Sequence, residues 1–129
     1  MARIAHKAEG TTVAGPYSQA VEMDGWVYLS GQTPMNFETG KLVEGGMGRQ
    51  TEQCFANLKR VLDAAALTWD DIVKVGVYLT DMSQFAEMNA VYAKIFNAPH
   101  PARTTIAVAA LPGGAELEID MVARRKETK

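Results

Sequence analysis

The chain has 129 residues, of which 13 are basic and 15 acidic, for a formal net charge of −2. That size fits one domain over residues 1–129, with a core large enough to stand without covalent staples, and 47% apolar with 22% charged content is the ordinary soluble balance. The charge argues against nucleic acid as a general partner. The single cysteine, Cys54, excludes an internal disulfide, and no apolar run approaches the ~20 residues of a membrane span.

No apolar secretory leader is visible, so a reducing, cytoplasmic setting is the expectation. SQAVEMDGWVYLSG, residues 18–31, predicts a hairpin turning at Asp24-Gly25. Trp26, Tyr28 and Ser30 share one face of its second strand, Val27 and Leu29 the other. The turn-rich stretch that follows has room for a small strand at residues 41–43. Residues 49–66 predict a helix, with Cys54, Leu58, Val61 and Ala65 on one stripe. Gly45-Gly46-Met47-Gly48 before it lacks a phosphate-loop pattern and reads as an ordinary helix start. IVKVGVYL, residues 72–79, predicts a central strand. A second helix, capped by Asp81 or Ser83, is expected through Phe96, ended by Pro99 and Pro101.

Two strands complete the chain, at residues 103–110 and 115–124, with Leu-Pro-Gly-Gly between them. Arg103, Thr105 and Ala107 alternate with Thr104, Ile106 and Val108; Leu117, Ile119 and Met121 alternate with Glu118 and Asp120. Paired as a hairpin, these strands would turn Ile106, Val108, Leu117 and Ile119 toward the helices. Arg103, Thr105, Glu118 and Asp120 would then share the opposite face. Two helices cover only one face of such a sheet, so the other face is expected to be buried by association.

His6, His100 and Cys54 have no partners at metal spacing, so no metal site is expected. No nucleophile elbow occurs either. Arg103 and Glu118 are the remaining candidates, with Tyr17, Ser30 and Thr105 as nearby polar groups. An ordinary cross-strand ion pair is the competing explanation.

GPYSQAV, SGQTP, the helix with Gln50, Gln53 and Asn57, VKVGVYLTDMSQFAEMNAVYAKIF, HPARTTIAV and LPGGAELEIDMVA occur in this order from Gly15 to Ala123. Together they resemble the RidA (YjgF/YER057c/UK114) family. The resemblance implies an α+β, chorismate-mutase-like fold: a mixed six-stranded sheet with two helices on one face. It also implies a homotrimer with sites between subunits, and hydrolysis of small 2-imino or 2-enamino acids to 2-keto acids and ammonia, without a cofactor. It implies that Arg103 binds the substrate carboxylate and that Glu118 positions or activates water. Tyr17, Ser30, Gly31 and Asn89 match pocket positions. Thr105 stands where many members carry cysteine, a departure that bears on the branch of the family. Members have also been described as endoribonucleases, translation inhibitors and stress-responsive chaperones.

Overall fold

The computed structural model describes residues 2–127. Its strands are β1 (Ile4–His6), β2 (Ala20–Met23), β3 (Trp26–Gln32), β4 (Met35–Asn36), β5 (Lys41–Leu42), β6 (Ile72–Leu79), β7 (Ala102–Ala107) and β8 (Leu117–Arg124). Its helices are α1 (Met47–Ala64) and α2 (Phe85–Tyr92). Six strands form one mixed sheet in the order β1-β2-β3-β8-β6-β7, and β4 pairs with β5 separately. The α+β class and the mixed six-stranded sheet are as expected.

The β2–β3 hairpin turns at Asp24-Gly25. Both residues have positive φ, 54° and 80°, which a two-residue turn of this hand requires and which glycine accepts without strain. Met23 lies opposite Trp26. Helix α1 starts two residues before the predicted boundary, and its buried stripe of Cys54, Phe55, Leu58, Val61 and Leu62 packs into the core. Its opening glycines meet a carboxylate from the neighbouring helix: the Gly48 N–H donates to Glu87 Oε2 at 2.7 Å. Negative charge there satisfies an orphan helical donor and favours the helix dipole.

Helix α2 is shorter than predicted. Asp81 caps a 3-10 turn at Met82–Gln84, accepting from the Ser83 N–H at 2.9 Å, and the helix proper stops at Tyr92. Beyond it the winding tightens: Lys94 and Ile95 donate to carbonyls three residues back, as helix ends do when they run out of α-type partners. Phe96 stays buried against Phe55 and Trp69. The apolar spacing therefore continued past the helix because the core did.

The expected hairpin between the last two strands does not form. Strand β7 pairs in parallel with β6, with Val75 opposite Arg103, Val77 opposite Thr105 and Leu79 opposite Ala107. Strand β8 instead lies between β3 and β6, antiparallel to both. The segment from β6 through α2 to β7 is a crossover, the connection that parallel strands require. This changes the faces. Val75, Val77, Leu79, Leu117, Ile119 and Met121 are buried toward the helices, and Arg103 and Thr105 are in register with them. Thr104 and Ile106 fall on the open face, where Ile106 is 43% exposed. The alternation within β7 was read correctly, but the partner strand, and so the face, was not.

The open face carries Trp26, Tyr28, Lys74, Gly76, Tyr78, Glu118, Asp120 and Val122. It is mixed apolar and polar as predicted, but lacks Arg103. Tyr78 donates its hydroxyl to Asp120 Oδ2 at 3.0 Å, and Lys74 to Thr104 Oγ1 at 2.7 Å. At β1, Glu22 of β2 holds His6 and a bidentate Arg125 at 2.8–2.9 Å. That pairing holds the Glu22 carboxyl down at about 2, the Arg125 contact being the largest cause.

Candidate active site

The candidate residues fall into two groups on opposite faces of the sheet. The first surrounds Arg103. Phe85, Asn89 and Tyr92 sit at i, i+4 and i+7 of α2, one helical face, and all meet the guanidinium. Asn89 Oδ1 accepts from Arg103 Nη1 at 2.7 Å. The guanidinium carbon lies 4.5 Å from the centre of the Tyr92 ring and 5.5 Å from that of Phe85, both within cation–π range. Burial pushes the Tyr92 hydroxyl up in pKa, opposed by the nearby Arg103 charge. Among the described residues no carboxylate forms an ion pair with Arg103. The buried Thr105 and Tyr92 hydroxyls also have no hydrogen-bond partner among the described residues.

The second group surrounds Glu118. Between Leu29 and Gln32 strand β3 slips register against β8. The irregularity falls at Ser30-Gly31, and irregular pairing of this kind re-aims the chain beside functional groups. A Cβ on Gly31 would lie 2.7 Å from the Glu118 carboxyl carbon, so only glycine lets that carboxylate lie flat on the backbone. Glu118 is raised in pKa, first by burial and then by the charge of Asp120. Its carboxylate opens into a cavity of about 280 Å³ lined also by Tyr17, Gly31, Met35, Phe37 and Val13. Tyr17 is 49% exposed at the mouth. The Ser30 hydroxyl is engaged, donating to the Ser18 carbonyl at 2.6 Å, and so braces the approach to β2.

The alternation of the last two strands puts Arg103 and Glu118 on one face, and the structure separates them. Arg103 belongs to an edge strand and the helix side; Glu118 belongs to an inner strand and the open side. The expected grouping of Arg103, Thr105, Glu118 and Asp120 on one face is therefore corrected, and the parallel pairing of β7 is the cause. Within one chain Tyr17, Gly31 and Glu118 are together, and Asn89, Arg103 and Thr105 are together. The aromatic support that Phe85 and Tyr92 give Arg103 was not foreseen. The signal was present in the i, i+4, i+7 spacing with Asn89. The contacts by which a thiol and an amide brace the cavity wall were also not foreseen: Cys54 donates to the Gln32 carbonyl at 3.4 Å, and Asn57 to the carbonyls of Thr33 and Met35 at 3.1 and 2.9 Å.

No helix is long and apolar enough to cross a membrane among the described residues, and no group of three or more His, Cys, Asp or Glu side chains there is placed to hold a metal ion.

Comparison with known proteins follows the same lines. The Endoribonuclease L-PSP family profile matches residues 8–125. The mouse (Mus musculus) protein named 2-iminobutanoate/2-iminopropanoate deaminase is 40% identical over 127 residues, covering 95% of this chain and 94% of the mouse protein. Protein mmf1, mitochondrial, of Schizosaccharomyces pombe is 43% identical over 113 residues, covering 85% of this chain and 68% of the yeast protein. The crystal structure of RidA from an Antarctic Psychrobacter superposes with a TM-score of 0.89 at 40% identity, covering 95% of this chain and 99% of that one. With a family profile spanning most of its length and relatives this similar over nearly all of it, the chain belongs to the RidA (YjgF) family, whose profile carries the name Endoribonuclease L-PSP.

Proposed function

We propose that the protein hydrolyses 2-imino acids and their 2-enamine tautomers to 2-keto acids and ammonia, as a symmetric trimer whose sites join the Arg103 group of one subunit to the Glu118 group of the next. The observation that carries this reading is the state of Arg103. A half-buried guanidinium held by an amide and two rings, with no carboxylate of its own, is a ready receptor for an external one. Its planar fork suits a carboxylate bidentately. Two half-sites on opposite faces of one sheet have use only if a second copy brings the other half, and the exposed Trp26, Tyr28 and Ile106 on the open face favour that contact.

The chemistry then needs little. Arg103 fixes the substrate carboxylate. Glu118 takes a proton from water as the oxygen attacks the imine carbon. The proton passes to nitrogen, giving a carbinolamine; Glu118 then moves the carbinolamine hydroxyl proton to nitrogen as the carbonyl forms, the carbon–nitrogen bond breaks, and ammonia leaves with the keto acid behind. The raised pKa of Glu118 suits a group that must both accept and return a proton. The Thr105 hydroxyl and the backbone at Gly31 line the two sides of this path. No cofactor enters the scheme, and the buried, reduced Cys54 suits the cytoplasm as the compartment.

The test generates 2-imino acids with an amino-acid oxidase and traps the residual imine with semicarbazide. The protein is expected to cut trapping in proportion to its concentration, and Arg103→Ala to weaken that effect about ten- to a hundredfold. Unchanged trapping would refute the deaminase reading. RNA cleavage that persists in Arg103→Ala would favour the activity in the family profile's name, and suppression of aggregation without deamination a chaperone role.

A further inference from the structure

The cavity beside Glu118 is larger than the reacting part of a small imino acid requires. At about 280 Å³ it is far above the ~10–15 Å³ that a single water needs on the same measure. Glu118 and Phe37 both line it, and the guanidinium carbon of Arg60 in α1 lies over the Phe37 ring, 5.7 Å from its centre. Val13, Ala14, Met35 and Pro112 are its other apolar residues, with Thr12, Gln19, Gln32 and Thr33 among the polar ones.

Both walls of this extension are fixed from behind. On one side Cys54 and Asn57 of α1 bind the carbonyls of Gln32, Thr33 and Met35, and Gln53 donates to Asn57 Oδ1 at 2.9 Å. On the other, buried Gln19 accepts from the Ala8 N–H at 2.9 Å and donates to Thr11 at 2.7 Å, while Thr11 donates to the Ala8 carbonyl at 2.6 Å. These polar groups are engaged with one another and with backbone. The shape is therefore preorganised.

We infer that this extension is a side-chain subsite, lined by Val13, Met35 and Phe37, that selects 2-imino acids with long aliphatic or aromatic side chains over the alanine-derived one. This rests on the deaminase reading, since it takes Glu118 as the end where the reacting carbon sits. The free energy of burying a methylene corresponds to about fourfold in kcat/KM per group, so a methionine- or leucine-derived imine gains tens-fold over the alanine-derived one.

The test pairs two measurements on the intact protein. Trapping assays with imines from alanine, leucine, methionine, phenylalanine and glutamate give relative kcat/KM. Calorimetric titration with the matching keto acids gives binding without turnover. The expected result is a rise of at least tenfold from alanine to methionine or phenylalanine in both. Phe37→Ala, and separately Val13→Asp, should shrink that ratio severalfold. The second variant lies at the surface and keeps the test open if the first is unstable. A flat series, or a preference for glutamate drawn by Arg60, overturns the inference while leaving the deaminase intact. A graded binding series with no turnover of any imine keeps the subsite and overturns the deaminase reading.

Discussion

The two halves of the candidate site are built on different principles. Around Arg103 every contact suits a cation: an amide oxygen and two aromatic faces meet the guanidinium. Around Glu118 the surroundings oppose the charge, through burial and the neighbouring Asp120 carboxylate. A binding residue gains from a settled charge. A proton carrier gains from a charge that is easily discharged. The contrast separates an anchor from an acid–base group before any substrate is considered.

The strongest way to break this comparison is to remove each half separately. Glu118→Gln should lower turnover by roughly 10²–10⁴-fold, the usual range for a lost general base, while keto-acid binding by calorimetry survives. Mixing Glu118→Gln chains with Arg103→Ala chains, unfolding and refolding them together, should restore activity to about a quarter of the sites if each site takes one residue from each neighbour. No recovery would place both residues of a working site in one subunit, against the split geometry.

Arg103→Ala should cost about ten- to a hundredfold in kcat/KM and weaken keto-acid binding with it. Arg103→Lys should fare nearly as badly. A lysine is a point charge that loses the fork and most of the stacking on Tyr92. Full activity in the lysine variant would mean that charge alone anchors the substrate.

Asp120→Asn sharpens the other side. Removing the like charge beside Glu118 lets the glutamate ionise more readily, so its pKa falls. The acid limb of the pH–rate profile should then move to lower pH with binding unchanged. A limb that stays in place would mean that burial alone sets Glu118. The acceptor of the Tyr78 hydroxyl also becomes neutral in this variant, and Tyr78 lies in register with Glu118, so Tyr78→Phe serves as the control for that hydrogen bond.

The smallest effect is expected from Thr105→Cys. The two side chains are similar in size, and the Thr105 hydroxyl makes no hydrogen bond among the described residues. The deaminase rate should change less than in either Arg103 variant. A gain of orders of magnitude over an inert parent would assign this chain to a branch with a different reaction.

Much of this was legible in the sequence, and the exceptions share one cause. Local signals located the Asp24-Gly25 turn, the buried stripe of α1 and the limits of β6. The alternation of β7 correctly set Arg103 apart from Thr104 and Ile106. The face Arg103 occupies depends instead on which strand β7 chooses, and no residue within β7 encodes that choice. The cue was the helix between β6 and β7, the mark of a parallel crossover, whereas the Leu-Pro-Gly-Gly segment resembled a turn and misled. The cavity walls were illegible for a second reason. They are irregular segments without period, held by single buried side chains such as Gln19 and Asn57, whose partners are carbonyls and amides common to every residue.

Cys54 adds an experimental handle. Its thiol is fully buried and its pKa is pushed up by burial, so the native form offers a reagent neither access nor thiolate. Labelling must wait for α1 to part from the carbonyl of Gln32. The rate at which a thiol reagent consumes this one sulfur is thus a clock for the breathing of the cavity wall. A bound keto acid that grips both ends of the cavity would slow that clock, with no isotope or fluorophore introduced.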